Sequence, residues 1–205
     1  RGQEYEVFLH GADEQRDYAI QHFPKLAGGK KCYVISGNHD LSFKKVSGYN
    51  IVREICEKRE DLIYRGDEYT SLTIKGLNID VMHPSGGICY SRSYRPQRIV
   101  ENLIGEALAV LREKFTGADT TRIVQLPHCI FFGHYHLSNY IPGYMAVENF
   151  MVPCLQAVTP YLKRKGLAPE LGCLIVTVTL DSKGNVTKIL PDFRKMNAYI
   201  KENDY

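Results

Sequence analysis

The sequence holds no run approaching the roughly 18 to 20 consecutive apolar residues of a membrane-spanning helix, so a membrane partner is not expected. Its amino end, EYEVFLHGADEQ, lacks the basic-then-apolar order of a signal peptide, and the expected compartment is the cytoplasm. No C-x-x-C pair occurs among the six cysteines, at 32, 56, 89, 129, 154 and 173, and in 205 residues they are too sparse for a dense disulfide framework. They read as mostly buried free thiols. The charge excess is only +3, too small to imply a nucleic-acid partner unless basic residues gather on one face. Repeats, low-complexity segments and long linkers are also missing, so a single domain over residues 1–205 is the economical organisation.

What is present is an alternation of short apolar runs and amphipathic segments. DEQRDYAIQHF, 13–23, suits a helix that Asp13 caps, with Tyr18, Ile20 and Phe23 on its apolar side. CYVIS at 32–36 reads as a strand and YNIVREICEKRE at 49–60 as a helix. Residues 69–76 and 77–83 read as two strands divided by the turn signal at Lys75 and Gly76. PQRIVENLIGEALAVLREKF, 96–115, is the clearest helix, with Ile99, Leu103, Ile104, Ala107, Leu108 and Leu111 as its stripe. CIFF at 129–132 suits a strand buried on both faces, and CLIVTVTL and VTKIL flank the hairpin turn DSKGN.

Three of these apolar runs end on a nitrogen-bearing side chain of metal-ligand type. YVIS runs into GNHD with Asn38 and His39, DVM into His83, and IFF into GHYH with His134 and His136. If the strands share one sheet and one direction, their carboxyl ends converge on one edge, where ligands of open α/β sheets bind. Amide oxygen and imidazole suit borderline ions such as zinc, iron and manganese, and H-x-H can send its two rings to two ions. His10, His22 and His128 lie outside such strand ends and read as structural or surface residues.

G-N-H-D, a strand-terminal histidine and G-H-x-H, in that order over about residues 32 to 140, resemble the later motifs of the calcineurin-like metallophosphoesterases. The resemblance implies an α/β fold, an incomplete four-layer αββα sandwich of mixed sheets flanked by helices. It also implies two divalent ions of manganese, iron or zinc, with Asn38, His83 and His134 on one and His136 on the other. His39 would stay off the metal and protonate the leaving oxygen, with Asp40 orienting its ring. Attack on phosphorus by metal-bound hydroxide would follow.

The family's early motifs, D-x-H and G-D-x-x-D, do not occur; G-D stands only at Gly66 and Asp67, without the second aspartate. By the resemblance, the chain, which opens on Arg1, is expected to be the carboxyl-terminal portion of such an enzyme, the alternative being a complete protein that has lost catalysis. On its own it would hold at most one ion, weakly, and would not hydrolyse substrate.

The segment PSGGICYSRSYRPQR sets Arg92, Arg95 and Arg98 beside Tyr90 and Tyr94, types that grip phosphate oxygens and stack on bases. Arg92 and Arg95 are the candidate substrate-binding residues. The wording around HPSGG, SYRPQ and TPYLKRKG looks like the microbial branch related to the nuclease subunit of archaeal family D DNA polymerase, which implies a phosphate ester, first a phosphodiester of nucleic acid. The alternative is a non-catalytic subunit on the same scaffold that holds nucleic acid or a partner through the arginine loop.

Overall fold

The computed structural model describes residues 7–117, 121 and 125–197. In chain order its elements are α1 (Ala12–His22), β1 (Cys32–Ser36), α2 (Asp40–Ser47), α3 (Ile51–Lys58), β2 (Leu62–Asp67), β3 (Tyr69–Ile74), β4 (Leu77–Met82), α4 (Tyr94–Phe115), β5 (Cys129–Phe132), β6 (Asn139–Tyr144), β7 (Val147–Met151), α5 (Pro160–Arg164), β8 (Gly172–Leu180) and β9 (Val186–Lys195). The class is mixed α/β, as expected. The described residues fall into two compact units, one of 7–70, 82–85 and 158–168, the other of 71–81, 86–157 and 169–197.

The first unit is organised by a parallel pair, β1 on β2, with Cys32 opposite Leu62 and Ser36 opposite Asp67. A parallel pair needs a crossover, and α2 and α3 supply it. Asn50 caps α3 by accepting from Arg53 N–H at 3.0 Å, and Ile51, Val52 and Cys56 then bury one helix face with Leu62. The same Asn50 donates to Tyr64 and Asp67, and Lys44 of α2 reaches Asp67 at 2.5 Å, so both helices are tied to the end of β2. Arg59, with a side chain only 4% exposed, forks onto Asp61 and donates to Phe23 O at 2.5 Å, which fastens the end of α1. The helix itself begins after Gly11, not at Asp13, and none of its residues is buried; Tyr18 and Phe23 are exposed.

In the second unit the sheet order is β3-β4-β5-β7-β6, with β5 parallel and β6 antiparallel to β7. The hairpin β8–β9 covers it: Leu174, Val176, Val178, Val186, Ile189 and Phe193 pack on Leu77, Cys129 and Phe150. Ring stacking of Phe150 with Tyr140 at 4.9 Å and Phe131 at 5.1 Å adds to this face. Helix α4 lies against β7, and its buried residues are Pro96, Val100 and Val110. The expected stripe is therefore off by part of a turn: Leu108 and Leu111 are 60% and 51% exposed. The apolar arc of this helix is wider than the sheet can cover, and the contact takes its valine edge.

Sequence reading missed α2, β2, β6, β7 and α5. It also placed more thiols inside than fold there: all six cysteines are free, with Cys56 and Cys129 buried and the rest half-buried. Burial pushes the Cys129 thiol up to about 12, so it is an inert packing group. Among the described residues no helix is long and apolar enough to cross a membrane.

Candidate metal and phosphate site

The three strand ends do not share a sheet. Among the described residues β1 pairs with β2 alone, whereas β4 and β5 are neighbours in the five-stranded sheet, so the simple picture of one common edge is corrected.

The turn after β1 is nevertheless built around His83. The Gly37 N–H donates to Asp40 Oδ2 at 2.8 Å, closing GNHD into the entry of α2. A Cβ on Gly37 would stand 2.9 Å from His83 Cε1 and 3.1 Å from Nδ1, so the imidazole lies on the bare glycine. Backbone bonds bring it there: Glu68 N–H donates to Ser36 O at 3.0 Å, and His83 N–H to Glu68 O at 2.7 Å. Glu68 takes a left-handed φ of 55° to bridge the two chain segments. As a result His83 Nε2 lies 2.7 Å from Asn38 Oδ1, across 45 positions of sequence.

Asn38 and His39 are exposed, while Asp40 is half-buried. Burial pushes the Asp40 carboxyl above its usual range, against the Gly37 amide and the nearby His39, which pull it down. The described bond of its carboxylate runs to the Gly37 amide, so Asp40 holds the turn on which His39 stands.

The loop after β5 is built differently. His134 and His136 both adopt left-handed φ, 73° and 57°, a conformation that costs a non-glycine residue on the order of 1 kcal/mol or more. Between them Tyr135 turns inward to 3% exposure, its hydroxyl buried without a hydrogen-bond partner among the described residues, and Leu137 is buried too. Glu170, which carried no sequence signal, clamps the exit of the loop. Its N–H donates to His136 O at 2.8 Å, and its carboxylate accepts from Ser138 N–H at 3.1 Å and from Arg92 at 3.0 Å. Burial raises the Glu170 carboxyl, but the Ser138 and Arg92 bonds outweigh it and leave the group below its usual range.

The arginine loop is internally matched. Arg92 pairs with Glu170 and Arg98 with Glu101 at 2.5 Å, while Arg95 donates to Cys89 Sγ at 3.2 Å. His134 Nε2 meets Gly86 O at 2.8 Å within the same unit. The structure thus brings Asn38 together with His83 in one unit and groups His134, His136, Arg92 and Arg95 on neighbouring loops of the other.

The donor types of Asn38 and His83 fit one borderline divalent ion. Two atoms sharing such an ion each lie about 2.0 to 2.2 Å from it and roughly 3 Å or more from one another. At 2.7 Å the pair is hydrogen-bonded, the ring donating to the amide oxygen, so to take an ion the ring must change tautomer and open slightly. Among the described residues no group of three or more His, Cys, Asp or Glu gathers as a metal site.

No family model matches the sequence, and no curated protein matches it. In structure the chain is similar to a protein described as a novel archaeal phosphodiesterase, with a TM-score of 0.38 and 12% identity over 86% of this chain and 76% of that one. A Thermotoga maritima protein determined in solution by NMR gives a TM-score of 0.32 and 14% identity over 71% and 72% of the two chains. These scores are too low to speak for a function, and the functional reading rests on the residues above.

Proposed function

We propose that this chain carries part of the active site of a calcineurin-like metallophosphoesterase, with phosphodiesters such as those of nucleic acid as its first substrate class. The supporting observation is the 2.7 Å contact of Asn38 with His83, which joins two motif residues of ligand type at two strand ends. Within the first unit Asn38 and His83 would hold a divalent ion of manganese, iron or zinc, and in the second unit His134 and His136 are the further residues of ligand type; such ions would make water acidic and neutralise charge at phosphorus.

The chain's own residues do the rest. His39 is exposed at the entry of α2, where its imidazole would give a proton to the leaving oxygen. Asp40 fixes that turn through the Gly37 amide. Arg95 orients a phosphate oxygen through its guanidinium.

Titration with zinc, followed through the histidine ring nitrogen resonances, tests the ligand set. Zinc should shift His83 and remove its Nε2 proton, and Asn38→Ala should weaken binding at least tenfold. Unchanged His83 resonances at millimolar zinc would sink the assignment. For catalysis, manganese-dependent hydrolysis of bis(p-nitrophenyl) phosphate by the full-length protein should fall on the order of 100-fold in His39→Ala, the usual loss of a general acid.

A further inference from the structure

Gly86 occupies a point where two functional side chains meet. Its φ is +84°, a conformation that glycine adopts freely and residues with a Cβ rarely do. Its carbonyl lies 2.8 Å from His134 Nε2. A Cβ at this position would stand 2.6 Å from Arg95 Nη1, 2.9 Å from Nη2 and 3.0 Å from Cζ, so the guanidinium occupies that space. From its other side Arg95 is held by the bond of Nε to Cys89 Sγ. The adjacent Gly87 has neither feature: nothing lies within 4 Å of where its Cβ would be.

A carbonyl oxygen only accepts, so the ring nitrogen facing Gly86 carries the hydrogen. The hydrogen bond made by one ring nitrogen orients the whole imidazole. We propose that Gly86 is the positioning residue of this site: one bare α-carbon and its carbonyl hold the Nε2–H of His134 and seat Arg95 beside it. The role of the two groups rests on the phosphoesterase reading, whereas the Nε2–H bond and the seating stand without it.

The test uses the full chain, free of metal and substrate. Long-range proton–nitrogen correlation spectra report the protonation of each histidine nitrogen. Wild-type His134 is expected as the Nε2–H form. Gly86→Ala, whose methyl group displaces the guanidinium and strains the turn, is expected to lose the Nε2–H signature; Gly87→Ala is expected to keep it. An Nδ1–H tautomer in wild-type protein overturns the proposal even if Gly86→Ala does not fold. So does a Gly86→Ala spectrum with the His134 signature intact. Absence of hydrolysis or of metal binding would count against the phosphoesterase reading and leave this result untouched.

Discussion

The turn after β1 and the loop after β5 share a plan, a short apolar strand, a glycine and then a polar residue of ligand type, yet they store their cost in different places. In GNHD the glycine makes room, and the His83 ring lies directly on Gly37. In GHYH the histidines themselves take the left-handed backbone, and the loop is held by inward burial of Tyr135 and Leu137 and by the Glu170 clamp. A glycine before a residue of ligand type is therefore two different devices: in one it permits close approach, and in the other the strain sits on the functional residues, which is where such strain tends to gather.

The largest expected effect comes from filling the space that defines the first device. Gly37→Val should separate His83 from Asn38 and destabilise the fold by about 2 to 3 kcal/mol through overpacking. Urea denaturation gives the stability loss, and the His83 ring resonances report the separation. An unchanged ring environment would show that the close approach is incidental.

Next in size is the clamp of the second device. Glu170→Ala leaves the Ser138 amide and Arg92 without their acceptor, and a loss of about 1 to 2 kcal/mol is expected. The sign of its pH dependence follows from a carboxyl held below its ordinary 4.5. Its stabilisation is fully present above that value and fades as pH falls through the lower folded value. Denaturation curves of wild type and variant should thus converge in acid; a gap that widens in acid would contradict the clamp.

Backbone strain gives a smaller contrast. His136→Asn keeps a residue that tolerates left-handed φ, whereas His136→Val does not, and the valine variant should be less stable by about 1 kcal/mol. Equal stabilities of the two His136 variants would remove strain from the account of GHYH.

Asp40→Asn should change stability least, by less than about 0.5 kcal/mol at neutral pH, because an amide oxygen still accepts from Gly37. Here the sign is reversed. Burial holds the folded carboxyl above its ordinary 3.8, so the charge penalty is absent in acid and grows as pH rises from that value. The variant should gain on wild type from acid to neutral pH in thermal melts, and a steady loss would refute it.

Much of the chain was legible because local pattern and local burial agree in it. CYVIS, CIFF and the DSKGN hairpin are strands with apolar runs and clear turn signals, and Asp181 of that turn accepts from both Lys183 and Asn185 at 2.8 Å. LIYRGD was not legible as β2, because its strand state comes from pairing with β1 rather than from alternation of its own. The face of α4 was misjudged since a wide apolar arc does not say which edge meets the sheet.

For the site, the residue types and their positions after strands were determined by sequence alone: Asn38 and His39 after β1, His83 after β4, His134 and His136 after β5. Which of them meet was decided by tertiary structure. The Glu68 bridge sets His83 on Gly37 and against Asn38, and Glu170 reaches Arg92 across 78 positions to hold the GHYH exit. Neither glutamate belongs to a motif, because a hydrogen-bonding partner is chosen by distance in the folded chain and spacing along it carries no record of that choice. Gly86 is the same case, since a missing Cβ reads as a turn until a guanidinium is found in its place.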